Sequence, residues 1–266
     1  MKADITLKAM GIMGYNAMNL GGSDFSFGVS YLEKASETVA FPFISSNIVD
    51  LSGESPNWLK NYIIIQSGGT NVGILGVMPE SAFDKLPTSK EPSNLKIISP
   101  ATALRRLLPE VLKQADFIIL LSQLNVEDTS SLANEIPGID LALSHENRDF
   151  HPVLQDGKTL ITPCGTKSSN IEIVKLTTDD AGETAIVENK PIVLGDEFPH
   201  DTRVDKLIAE SYFKKQLEIR NQKTEKLRQE FHKALREGLA KTPEEFFKEM
   251  KEEKDDEEAS RQSINP

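Results

Sequence analysis

His145 and His151, six residues apart in Ser144-His145-Glu146-Asn147-Arg148-Asp149-Phe150-His151, are the imidazoles nearest each other in this chain. A neutral imidazole gives a metal one donor, and usual sites need three or four. The segment therefore reads as a loop of solvated polar groups, with His145 a weak metal candidate. Cys164 is the sole cysteine, set between Pro163 and Gly165. It is a nucleophile only if a histidine and an orienting acid converge on it, and otherwise a small buried thiol. The glycine pairs Gly21-Gly22 and Gly68-Gly69 form neither G-x-G-x-x-G nor a phosphate loop ending in Gly-Lys-Ser/Thr. No Cys-x-x-Cys-His is present for covalent haem attachment. The segment Gly21-Gly22-Ser23-Asp24-Phe25-Ser26-Phe27-Gly28 is a turn, but Gly22 has no side chain and Ser23 offers a neutral hydroxyl that cannot change charge near pH 7 as imidazole does.

The elements that would position these groups alternate between helix and strand. Ile5, Leu7, Met10 and Met13 sit among helix-compatible residues, and Tyr15–Leu20 reads as a short strand feeding the glycine turn. A helix is predicted from about Val29 to Thr38. Apolar runs bounded by Gly, Pro, Asn or Asp predict strands near 42–47, 61–66, 71–77, 116–121, 139–143, 159–163 and 170–177. Ser99-Pro100 predicts a helix to about Gln114, with Ser99 as N-cap and Pro100 in the first turn, and Asp128–Glu135 predicts another. Helices layered on sheets are the expected class.

Taken in order, these segments resemble the calcineurin-like metallophosphoesterases of the 5′-nucleotidase (UshA-like) type. Gly21–Gly28 resembles the family's G-N-H-E-F-x-x-G turn, and Phe41–Asn47 its P-F-L-S-A-N strand. Val72–Val77 is similar to G-I-I-G-V, Ala115–Gln123 to A-D-x-x-I-x-L-S-H, and Pro137–Asn147 to P-G-I-D-L-x-x-x-G-H-x-H. Thr159–Gly165 resembles the strand and glycine turn that follow, so the likeness covers about residues 1–180. It implies a layered α/β metallophosphoesterase-like sandwich, partial because the family's opening D-x-H strand and G-D turn have no counterpart here. It also implies that Gly22 stands for a metal-ligating Asn, Ser23 for the His that acts on phosphate, Gln123 for a ligating His, and Asn147 for one of the final two imidazoles, leaving His145. Asp24 stands where the family has a Glu that supports the turn, and Asp140 corresponds to a residue that packs. A two-metal phosphoesterase holds ions about 4 Å apart to activate water and neutralise phosphate charge. One histidine cannot hold two ions, so neither bound metal nor hydrolysis is expected.

The formal charge of −11 argues against a nucleic-acid surface, which needs Lys and Arg to displace counterions. No run of 18 apolar residues is present to span a membrane. Met1-Lys2-Ala3-Asp4 does not open an apolar signal block, which places the chain in the cytoplasm if Met1 is the native start. Past Val193 the composition turns to Lys, Glu, Gln, Leu and Arg, and Asp205–Glu237 predicts a long helix or a pair. Thr242-Pro243-Glu244-Glu245 has the form of a helix start before Phe246 and Phe247. Lys251–Glu258 has no apolar residue to bury and is expected to be disordered or a solvated helix end. The expected organisation is a phosphoesterase-like domain over 1–195, a helical extension over 196–250 and an acidic tail over 251–266. Phe198–Ile208 resembles a connector that leads, in some exported bacterial nucleotidase-like proteins, to a multihaem cytochrome segment. That likeness implies a haem-protein neighbour and a periplasmic setting. Three readings follow: a non-catalytic structural or protein-binding module, part of a split or truncated phosphohydrolase completed by other chain, and a metal-free small-ligand binder using Ser23, Gln123, His145 and Asn147.

Overall fold

The computed structural model describes residues 2–87, 90–145, 153–155, 159–164, 170–178, 184–195, 197–237, 242–244 and 246. Asn147, His151 and the acidic stretch 251–258 lie outside the described residues. The chain divides into two compact units, Met1–Asp201 and Thr202–Pro266.

The first unit runs α1 (Lys2–Met13), β1 (Met18–Asn19), a 3₁₀ turn (Gly22–Phe27), α2 (Val29–Ser36), β2 (Phe43–Ile44), β3 (Ile48–Asp50), β4 (Tyr62–Ser67), β5 (Thr70–Val77) and a second 3₁₀ turn (Glu80–Phe83). It continues with β6 (Leu95–Ile97), α3 (Pro100–Val111), β7 (Phe117–Ser122), α4 (Val126–Glu135), β8 (Leu141–His145), β9 (Val153–Gln155), β10 (Thr159–Cys164), β11 (Asn170–Thr178) and β12 (Thr184–Val193). The main sheet has six strands in the order β4-β5-β7-β8-β10-β9. Strands β5, β7, β8 and β10 are parallel, and β4 and β9 close the two edges antiparallel. The parallel steps need crossovers, which α3 and α4 supply between β5 and β7 and between β7 and β8. Three smaller ribbons complete the unit: parallel β1-β2, antiparallel β3-β6 and antiparallel β11-β12.

The sheet's two faces are covered differently. Leu75, Val77, Ile118, Leu120, Ala142 and Ile161 point to α3 and α4 and form one core with Leu104, Leu108, Val111 and Leu132. Gly73 lets α3 close on β5, since a Cβ there would lie 2.6 Å from Val111 Cγ1. The alternate residues point the other way, toward Ile44 and Ala17 of the β1-β2 region and Val174 and Ile186 of the β11-β12 hairpin. On this second face Ile119, Leu121, Leu143 and Leu160 are only half-buried, although they lie on inner strands.

Several expected boundaries shift for local reasons. α4 begins at Val126, because Asn125 Oδ1 accepts the Asp128 N–H at 2.7 Å and caps two residues earlier than expected. α3 ends at Val111, and Ser99 occupies its N-cap position without a capping side-chain bond. β3, β6, β9 and β12 were not expected: the first three are three residues each, too short to show a period, and β12 pairs only with its hairpin partner. In the second unit Thr202–Glu237 forms one helix, α5, about 54 Å long at 1.5 Å per residue. None of its residues is buried, and Lys206–Glu210, Lys226–Glu230 and Lys233–Glu237 pair along its surface at 3.7–3.9 Å. No described helix is long and apolar enough to cross a membrane.

Candidate functional site

The sequence motifs converge where the parallel strands end. β1 leads into the Gly21–Gly28 turn, Gln123 follows the C-terminal end of β7 and His145 ends β8. Main-chain bonds align these ends: Gln123 N–H donates to Val77 O at 2.9 Å and His145 N–H to Leu124 O at 2.9 Å. Strand alternation puts Gln123 and His145 on the same side as Leu121 and Leu143, the face that β1 and β2 approach. Strand-end crevices of this kind are where open α/β sheets place ligands.

The turn is held by its own backbone and by its neighbours. Asp24 Oδ2 accepts the Gly21 N–H at 2.8 Å, and Asp24 N–H donates to Gly21 O at 3.1 Å. Burial pushes the Asp24 carboxyl up from its ordinary value, and the bond from Gly21 partly opposes this. Ser23 is exposed. Gly22 is half-buried and blocked on the side its Cβ would take: a Cβ there would lie 2.4 Å from the backbone oxygen of Ala82 and 3.1 Å from both its carbonyl carbon and its Cβ. The missing side chain at position 22 is thus matched by missing space. Beside it, the Gln123 amide covers Gly21, with Oε1 3.2 Å from where a Cβ would stand.

Three amide and hydroxyl side chains from two segments fix β5 beneath this turn. Asn19 Nδ2 donates to Val77 O at 3.1 Å and Leu121 O at 2.8 Å. Its Oδ1 would meet a Cβ on Gly76 at 2.2 Å, so that glycine is required for the approach. Ser46 Oγ accepts the Gly76 N–H at 3.2 Å and donates to Asn61 O at 2.7 Å. Asn47 is fully buried; its Nδ2 donates to Met78 O at 2.8 Å and Ile98 O at 2.9 Å, and its Oδ1 accepts Met78 N–H at 3.1 Å. Sequence reasoning missed Asn19 and Gly76. The signal was an Asn between Met18 and Leu20, a polar residue in an apolar strand that must find partners when packed.

The other candidates fall into place separately. Asp140 Oδ2 accepts the Ile118 N–H at 2.7 Å, tying the start of β8 to β7; burial raises its carboxyl, opposed by that bond. Cys164 ends β10 opposite His145 in the β8 register, with its side chain outside the description. The structure therefore sets the Gln123 amide against Gly21 of the turn that holds Gly22, Ser23 and Asp24, and ties the His145 backbone to Leu124 beside Gln123. Gly22 has neither donor nor room, Gln123 offers a neutral amide, and Asp24 is committed to Gly21. Among the described residues no three His, Cys, Asp or Glu side chains gather around a point. Among the described residues the donors do not fit a two-ion phosphoesterase centre, and no step through a metal follows from them.

Comparison with known proteins joins this geometry to a family. The chain is 29% identical over 161 residues to the uncharacterized metallophosphoesterase YunD of Bacillus subtilis, covering 56% of this chain and 33% of the relative. It is 28% identical over 153 residues to a 2′,3′-cyclic-nucleotide 2′-phosphodiesterase/3′-nucleotidase of Salmonella typhimurium, covering 50% and 23%. The chain is a relative of the calcineurin-like metallophosphoesterases of the 5′-nucleotidase type. The metallophosphoesterase fold extends over most of it: the calcineurin-like phosphoesterase YfkN of Bacillus subtilis superposes with a TM-score of 0.66 at 18% identity, over 82% of this chain and 78% of that one. The sulfate thiohydrolase SoxB of Thermus thermophilus gives 0.66 at 22% identity, over 78% and 38%. No family model matches the chain. The chain spans about a quarter to a third of the length of the curated metallophosphoesterase relatives it matches.

Proposed function

We propose that this chain is a non-catalytic metallophosphoesterase-like module that serves as a structural or protein-binding subunit. The observation that carries the reading is the closure at Gly22. A substitution that only removed a ligand would leave a gap; here the Ala82 backbone stands 2.4 Å from the first atom any side chain would add. Gln123 lies over Gly21 and Ser23 is exposed, so positions 123 and 23 offer a neutral amide and a neutral hydroxyl, not metal-binding imidazoles. The test is metal content of the purified protein by mass spectrometry, with a phosphodiesterase and nucleotidase assay under added manganese and zinc. Bound metal below a tenth of an equivalent with no turnover is expected. Two equivalents with turnover would overturn the reading.

A second reading is supported by a different observation. On the face that carries the crevice, Ile119, Leu121 and Leu143 of inner strands are half-buried, while their neighbours on the helix-covered face are closed from solvent. β1 is two residues long and pairs with β2 alone in its ribbon. Further polypeptide laid on this face would complete a split or truncated 5′-nucleotidase-like phosphohydrolase. Co-purification of an additional chain that restores metal binding would favour it over the first.

A further inference from the structure

One stripe of α5 complements itself when turned end for end. Lys206, Glu210, Phe213, Leu217, Arg220 and Thr224 recur at spacings of four and three. At 100° per residue they share an arc of about 80°, the narrow seam along which one helix packs lengthwise on another. All six are exposed, Phe213 by 72% and Leu217 by 46%. The next apolar members of the stripe, Leu227 and Phe231, are half-buried, and the Phe231 ring meets that of buried Phe246 with centroids 5.4 Å apart. Phe213 and Leu217, one helical turn apart, are left facing water.

The charges around this pair select what can cover it. When a second α5 lies antiparallel with its Leu217 opposite Phe213, Glu210 falls opposite Arg220 of the second copy and Lys206 opposite Thr224. The two-fold axis makes every contact twice, so four apolar side chains form the centre and a carboxylate–guanidinium pair closes each end. Within one chain Glu210 lies 3.8 Å from Lys206, a solvent-exposed pair that holds it weakly and leaves it free to exchange partners. The Thr224 hydroxyl already donates to Arg220 O at 2.9 Å, so covering it strands no donor. Other arrangements lose this match. A parallel pair sets Glu210 on Glu210 and Arg220 on Arg220, and an antiparallel slip of one heptad sets Leu217 on Lys206 or on Arg220.

We propose that the Phe213–Leu217 stripe of α5 is a self-association surface whose occupant is a second copy of α5, antiparallel, in the register that places Phe213 on Leu217 and Glu210 on Arg220. Like charge opposes the approach: α5 holds ten Lys and Arg against six Asp and Glu, and exposed Lys214 faces its own copy beside the axis. These charges stand in solvent and are screened beyond about 8 Å at physiological ionic strength, whereas the apolar centre and its closing pairs are in contact. The association does not depend on whether the strand-end crevice holds metal, and the two are tested separately.

The test is sedimentation equilibrium of the full chain in about 0.15 M salt. A reversible, concentration-dependent dimer is expected. Glu210→Arg and Arg220→Glu should each weaken it at least about tenfold, since each sets like charges opposite one another twice. An equimolar mixture of the two variants should return to within about threefold of the parent, because each chain then brings the charge its partner lost. Glu218→Arg, on the outward side of α5, should leave the dimer unchanged. A parent chain monomeric at every concentration, or a mixture that associates no better than either variant alone, would overturn the proposal.

Discussion

Replacing Gly22 by alanine isolates the claim that the crevice has closed. Gly22 does not have a left-handed backbone, so alanine meets no dihedral penalty there. It would gain roughly 0.4–1 kcal/mol from the less entropic unfolded chain if space were free. Space is not free: the added Cβ would stand 2.4 Å from Ala82 O, about 1 Å inside ordinary contact, and the obstacle is backbone. Relief requires moving the Glu80–Phe83 turn, whose Phe83 is buried against the Phe25 ring with centroids 4.8 Å apart. Overpacking of this kind costs about 1–3 kcal/mol, leaving a net loss of about 1.3 kcal/mol at the middle of both ranges and about 2.6 at most after the entropy gain. For a domain of this size the middle value lowers the Tm by about 3–5 °C. Urea and thermal unfolding of Gly22→Ala, Gly22→Asn and the exposed control Ser23→Ala would measure it, with Asn at least as destabilising as Ala and Ser23→Ala within about 0.5 kcal/mol of the parent. A Gly22→Ala protein as stable as the parent would show that the turn has room, and the argument from closure would fail.

Other outcomes follow from the same contacts. Asn47→Ala strips three buried hydrogen bonds to Met78 and Ile98 and should cost about 2–4 kcal/mol in urea unfolding. Gly76→Ala places a Cβ 2.2 Å from Asn19 Oδ1; in a double-mutant cycle with Asn19→Ala the two losses should fall short of their sum by about 1 kcal/mol, and strict additivity would mean that they do not meet. Burial raises the Asp24 carboxyl, so its native state favours the proton: stability from this group is full below the ordinary carboxylate value and declines as pH rises through the elevated one. Asp24→Asn, which keeps an acceptor for Gly21 N–H, should match the parent's Tm at pH 3 and equal or exceed it at pH 7; a deficit that grows with pH would contradict the assignment.

The sheet was legible because its strands are apolar runs cut by glycine, proline and acidic residues, and each predicted run has a strand within it. Val72–Val77 and Phe117–Leu121 are the clearest, since inner parallel strands are apolar toward both faces and need no alternation. The β3-β6 ribbon was not legible: Ile48–Asp50 and Leu95–Ile97 are paired by tertiary contact, with Asn47 anchoring one to Ile98. In the site, the identity of the groups at 22, 23, 24, 123 and 145 could be read directly. Their enclosure could not. That Gly22 faces Ala82 across about 60 residues depends on where the Glu80–Phe83 turn comes to rest, which no local pattern encodes.

The way the strand ends are held bears on what the crevice can do. The Gly76–Met78 end of β5 receives Asn19 from one segment and Ser46 and Asn47 from another, all through neutral amide or hydroxyl groups on main-chain atoms. Such bonds contribute about 1 kcal/mol each and depend little on pH or salt. Asp24 and Asp140, the carboxylates with raised values here, each spend an oxygen on a backbone N–H, Gly21 in one case and Ile118 in the other. Asp24, the carboxylate in the turn, braces the chain, while below exposed Ser23 and His145 the buried Asn19 Oδ1 and Ser144 Oγ are without a hydrogen-bond partner among the described residues. The neutral main-chain bonds hold the strand ends without an ion, and a chelator should leave the unfolding midpoint where it was.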